Sequence, residues 1–124
     1  MKKYILSDSV EREALEIFGG KEQYQDARRE WLEFVLPQKE NTVKELETVF
    51  STENCGSLTI VDPESGERFM YESYILRGPV KVYADEDNVW KIAIRRYQRT
   101  EMEQEVAALR ETVAGLVSAQ KTTA

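Results

Sequence analysis

The chain contains no histidine among its 124 residues. That absence removes the commonest general base, the usual zinc and iron ligand, and every triad or dyad that depends on imidazole. The one cysteine, Cys55, cannot close an internal disulfide and fits a reducing compartment as a structural free thiol. A zinc site would need carboxylates for nearly every ligand, so neither a metal nor a cofactor is expected. Asp, Glu, Lys and Tyr remain for catalysis, but no constellation of them marks an active site, and a non-enzymatic protein is expected. Long apolar runs are missing too: no stretch approaches the roughly 18 residues of a membrane span. The apolar run near the start, Tyr4-Ile5-Leu6, is far below the roughly 7 to 15 residues of an export signal, so a cytoplasmic protein is expected. Positive charge is in short supply: 17 Lys and Arg against 23 Asp and Glu leave a net charge of −6. Phosphate binding is driven by Lys and Arg, so this balance argues against nucleic acid as the main partner.

What remains is the composition of a globular domain, with 41% hydrophobic and 32% charged residues. The pattern predicts an α+β body over residues 1–98, a C-terminal amphipathic helix over 99–120, and a frayed tail over 121–124. Lys3 to Leu6 reads as a short strand closed by the turn Ser7-Asp8-Ser9. Glu11 to Phe18 fits a helix face or an alternating strand equally, and Gly19-Gly20 should end either one. Trp31 to Leu36, stopped by Pro37, suggests a strand buried on both faces; a helix from Gln23 through Val35 competes with it. Residues 42–51 are clearer. Thr42 and Glu45 form a Thr-x-x-Glu capping box, and Val43, Leu46, Val49 and Phe50 then share one helix face. From Ser57 the period becomes two. Leu58 to Val61, Arg68 to Leu76, Val80 to Ala84 and Val89 to Gln98 predict an antiparallel β-meander over residues 57–98, with turns at Asp62 to Gly66 and Asp85 to Asn88.

Three candidate sites lie in this frame. The acidic turns Asp62 to Glu67 and Asp85 to Asn88 hold oxygen ligands that calcium takes, yet the EF-hand spacing is absent and such residues dominate ordinary turns. Lys91, Arg95 and Arg99 share one face of the last strand and its exit, with Arg96 and Tyr97 adding charge and an aromatic ring. This row suits a nucleic-acid backbone, or ion pairs across the sheet with Glu67 or Glu72. Tyr71, Tyr74, Tyr83 and Tyr97 supply rigid aromatic area, for an interface or for packing.

The sharpest signal is the C-terminal helix. Met102, Val106, Leu109, Val113 and Leu116 are spaced four, three, four, three. That is a heptad with Val106 and Val113 at a and with Met102, Leu109 and Leu116 at d. Glu105 falls at g and Arg110 at the next e, the relation that pairs charges between parallel chains. Gly115 weakens the seam and Val117 widens the apolar stripe. The seam can pack between chains or onto the chain's own sheet, and its periodicity leaves both open.

The stretch from Asn54 to Leu116 resembles small proteins encoded among the tail genes of tailed phages and prophages of Gram-positive bacteria. The resemblance is carried by Leu58-Thr59-Ile60-Val61-Asp62, the hairpin into Tyr71-Glu72-Ser73-Tyr74, the strand ending Arg95-Arg96-Tyr97, and Leu109-Arg110-Glu111-Thr112-Val113. It implies a non-enzymatic virion or assembly protein, in the host cytoplasm or carried in a virion. Its implied partners are further copies of itself or other tail proteins, with no membrane. It also implies that Glu11 to Phe18 and Trp31 to Leu36 are strands. The alternative function is a small nucleic-acid-binding or regulatory module using Lys91, Arg95, Arg96 and Arg99.

Overall fold

The computed structural model describes residues 2–123, and the side chains of all of these except residue 40 and residues 117–123. The fold is α+β. Its strands are β1 (Lys2–Ile5), β2 (Glu11–Ala14), β3 (Glu16–Tyr24), β4 (Ala27–Pro37), β5 (Ser57–Val61), β6 (Arg68–Glu72), β7 (Leu76–Ala84) and β8 (Trp90–Tyr97). The helices are α1 (Val43–Val49) and α2 (Glu101–Thr123). Two antiparallel sheets, in the orders β2-β1-β5-β6 and β3-β4-β8-β7, face each other across one core.

The four antiparallel strands expected over residues 57–98 are present, and they divide between the sheets. The β5–β6 hairpin belongs to the first and the β7–β8 hairpin to the second. The break falls at Ser73, whose φ of 63° turns the chain and whose N–H donates to the Gly56 carbonyl at 2.9 Å. A matching corner joins the opposite edges, where only Leu15 separates β2 from β3 and donates its N–H to the Val35 carbonyl at 2.8 Å. Glu11 to Phe18 is therefore strand on both sides of a bend, which seats Ala14 and Ile17 in the core.

The Gly19-Gly20 stop does not exist. β3 continues through both glycines to Tyr24, with Gly20 opposite Trp31. A Cβ on Gly20 would meet the Trp31 ring at 2.7 Å, so the missing side chain is what lets the indole lie across the neighbouring strand. Glycine here makes room for a cross-strand aromatic rather than ending the strand. The hairpin that follows turns on Gln25 and Asp26, both at positive φ (48° and 61°), without the glycine such a turn favours.

Trp31 to Leu36 is strand, as part of the longer β4. Leu32, Phe34 and Leu36 enter the core, and Val35 is buried on the outer face. The rings of Tyr4, Phe34 and Phe50 meet with centroids 4.9 to 5.7 Å apart. Such pairs add about 0.5–1.5 kcal/mol each beyond their buried area. Phe50 and Leu46 arrive from α1, which starts where the sequence places it. The Thr42 hydroxyl accepts the Glu45 N–H at 3.2 Å, and this is the half of the capping box that forms. Asn54 closes the exit loop, donating to the Val49 carbonyl at 2.7 Å and accepting the Asp8 N–H at 2.8 Å.

Candidate protein-interaction surface

α2 begins with a second Thr-x-x-Glu box, and here both halves form. The Thr100 hydroxyl accepts the Glu103 N–H at 3.2 Å, and a Glu103 carboxylate oxygen accepts the Thr100 N–H at 2.8 Å. The same carboxylate is gripped by Arg29, whose Nη1 and Nη2 both donate to it, the second at 3.0 Å. Arg29 is 4% exposed and reaches three carbonyls besides: Tyr24 at 2.8 Å, Gln25 at 3.1 Å and Gln98 at 3.3 Å. One buried guanidinium thus braces the glycine-free β3–β4 turn and roots the first turn of α2. The linker is tied as well, since the Arg99 N–H donates to the Ser73 carbonyl at 2.9 Å and the Gln98 side-chain amide to that of Glu72 at 3.0 Å.

This root is expected to weaken in acid. The bond to Arg29, and after it the Thr100 N–H, holds the Glu103 carboxyl down at about 2 against an ordinary 4.5. A carboxyl depressed in the folded state stabilises above its unfolded value and loses that contribution as pH falls through the folded one. The Glu103 side chain is 41% exposed, so screening reduces the net effect to about 1 kcal/mol. Wild type should exceed Glu103→Gln by that amount in denaturant unfolding at pH 6. The gap should narrow continuously from pH 4.5 to pH 2, and a gap constant over that range would remove the ion pair as its cause.

Beyond its root α2 leaves the body. Met102, Val106, Leu109, Val113 and Leu116 are 74, 41, 64, 57 and 61% exposed. The seam does not lie on the chain's own sheet, so the intramolecular packing that the periodicity left open is not the one adopted. Glu105 and Arg110 are also exposed, and neither joins an ion pair among the described residues. The helix starts at Glu101 and runs on to Thr123, so residues 121–123, expected to fray, continue it. The side chain of Val117, expected to widen the stripe, lies outside the described side chains, and Ala124 lies outside the described residues.

The basic row of β8 is not a free surface. Arg96, expected on it, faces inward and is 2% exposed, because the strand alternates Ile92, Ile94 and Arg96 into the core. Its Nε and Nη2 donate to the Phe50 carbonyl at 3.1 and 3.0 Å. Arg95 lies 3.8 Å over the Trp31 ring and pairs with Glu22 at 2.8 Å and Glu33 at 3.2 Å. Lys91 pairs with Asp85 at 3.1 Å. The ion-pair partners are therefore Glu22, Glu33 and Asp85 rather than Glu67 or Glu72, since β8 lies between β4 and β7 and not beside β6. Arg99 sits half-buried in the linker. The charges assigned to an anionic partner at Lys91, Arg95 and Arg96 have partners within the molecule.

The tyrosines also serve packing. Tyr97 stacks on Tyr24 at 3.8 Å and donates its hydroxyl to Glu22, while Tyr74 is buried edge-on to Tyr71. Tyr83 remains partly exposed. Asp62 turns its carboxylate on its own loop, accepting the N–H groups of Glu64 at 2.8 Å and Ser65 at 3.1 Å. Asp85 accepts those of Asp87 and Val89 at 2.9 and 3.0 Å. These bonds explain both acidic turns as backbone turns. Cys55 is buried, and burial pushes its thiol up to about 11, which leaves it protonated and unreactive at neutral pH.

Reading the sequence alone missed the root of α2. Thr100-x-x-Glu103 repeats the signal that marked α1 and was legible. Nothing local marks Arg29 for this role, since the partners through which it roots α2, Gln98 and Glu103, lie 69 and 74 residues along the chain. Among the described residues no helix is long and apolar enough to cross a membrane. No protein-family model matches the chain, and no curated protein or solved structure matches it.

Proposed function

We propose that this chain is a non-enzymatic structural or assembly protein, associated with the tail of a tailed phage or prophage, acting through protein contacts of α2 and the β-body. The observation that carries the reading is an apolar heptad seam left open on a helix whose first turn is clamped by buried Arg29. A soluble chain rarely leaves a contiguous apolar stripe bare unless a partner covers it. Rooting fixes the direction of the helix, so the stripe is presented and does not swing freely. The tail assignment rests on the resemblance carried by Leu58 to Asp62, Tyr71 to Tyr74, Arg95 to Tyr97 and Leu109 to Val113.

Particles assembled from the phage or prophage genome that carries this gene provide the test. The chain should be found in purified tails at a fixed ratio to the other tail proteins, or in their assembly intermediates. The double variant Leu109→Asp, Val113→Asp should enter at least tenfold less, because two charges in the seam block its burial. Both positions are exposed, so the body should fold unchanged. Absence of the wild-type chain from tails and intermediates alike, or equal incorporation of the variant, would refute the reading.

A further inference from the structure

We infer that the partner of the α2 seam is α2 of a second copy of this chain, in a parallel, in-register, two-stranded coil. The inference rests on the reading of α2 as a contact surface and names what covers it.

The seam is self-complementary. In parallel register Val106 and Val113 meet their equivalents at a, and Met102, Leu109 and Leu116 meet theirs at d. β-branched residues at a with leucine at d favour two strands over three or four. The flanking charges select the orientation. Glu105 at g of each helix lies beside Arg110 at the following e of the other, so the symmetric pair gains two ion pairs from side chains that join no ion pair among the described residues of the single chain. Antiparallel packing does worse in both of its registers. With Leu109 against the partner's Val113, the two Arg110 side chains meet each other. With Leu109 against the partner's Val106, Arg110 faces a Glu103 already held by its own Arg29, and the partner's last turns run past Thr100 into the body.

The body leaves room for a parallel neighbour. Met102 opens the seam in the first turn of α2 and is 74% exposed, so the sheets do not shade the seam even at the root. Each helix leaves its own body through the same Arg29 clamp, which sets both bodies at the same end of the coil. The seam rises only about 21 Å from Met102 to Leu116, roughly two heptads. Pairing this short is expected to be concentration-dependent, with a Kd in the micromolar range.

Sedimentation equilibrium on the full chain tests this directly. The expected result is a monomer–dimer equilibrium with no larger species. Glu105→Arg alone, or Arg110→Glu alone, should raise the Kd about fivefold, and the two together should restore it to within twofold. Leu109→Cys should give a disulfide-linked dimer under mild oxidation, because only parallel in-register helices bring the two 109 positions face to face. Monomer at every concentration up to millimolar, a trimer, failure of the double charge swap to restore the Kd, or no cross-link at 109 would each overturn the inference. The failures are distinguishable. A monomeric chain that still enters tails through its seam overturns self-pairing alone, and a dimer absent from tails and their intermediates overturns the tail reading alone.

Discussion

Replacing Arg96 by alanine is expected to destabilise the fold by about 3–5 kcal/mol. The residue is 2% exposed, and its guanidinium has no carboxylate within ion-pair distance among the described residues. Its donors go instead to carbonyls, twice to Phe50 and once to that of Arg95 at 2.9 Å. Phe50 closes α1, where carbonyl oxygens carry the negative end of the helix dipole, so a cation there holds the helix to the sheet. Burial pulls the Arg96 pKa down from its ordinary value, but a guanidinium starts so high that it stays charged. Alanine removes these bonds and opens a cavity beside Phe50 and Cys55. Relief of the buried charge offsets part of the loss. Arg96→Met keeps most of the volume without the donors, and it should recover about half. Urea unfolding of the three proteins checks this, with the midpoint falling at unchanged slope. A loss below about 1 kcal/mol for alanine would show that the carbonyl bonds hold little.

Gly78→Ala should cost about 2–4 kcal/mol, although it adds one methyl group. A Cβ at this position would stand 2.7 Å from Tyr97 Cε2, 2.9 Å from the Arg95 carbonyl oxygen and 3.1 Å from Arg95 Cβ. The tyrosine ring can turn, but it is stacked on Tyr24, and the carbonyl belongs to the β8 backbone. Relief therefore requires β7 to move off β8 where the pairing already shifts between Arg77 and Val80. The Tyr24–Tyr97 stack and the Glu22–Arg95 pair should loosen together. Amide exchange should rise along β7 and at Arg95 to Tyr97 while α1 stays protected. Exchange unchanged in β7, with wild-type stability, would mean that the strand can yield without loss.

Both predictions concern residues whose roles the sequence disguises. Arg96 follows Arg95 in a row that reads as a cationic surface, yet strand alternation sends one into the core and the other onto Trp31. Gly20 reads as a break, yet it lies inside a strand beside an aromatic ring, as Gly78 does. In each case the deciding contact comes from outside the residue's own strand: from the facing strand of the hairpin for Gly20 and Gly78, and from the Phe50 carbonyl at the end of α1 for Arg96. Period-two patterning gives the alternation of a strand but not which face a neighbouring sheet will cover.

The local features were legible for the opposite reason. The caps at Thr42 and Thr100, the turns at Asp62 and Asp85, and the period of the α2 seam all arise among residues within a few positions of one another. Short-range hydrogen bonding and steric preference suffice to specify them. By itself, then, the sequence determined two capped helices, a run of antiparallel strands, the turn chemistry and a heptad seam on α2. Tertiary structure alone decided that the strands split into two facing sheets at Leu15 and Ser73. It alone decided that the basic row is used internally, and that the seam of α2 stands free because Arg29, 74 residues away from Glu103, clamps its root to the body. Those outcomes depend on which distant surfaces meet, and burial energy is settled only when both surfaces are present.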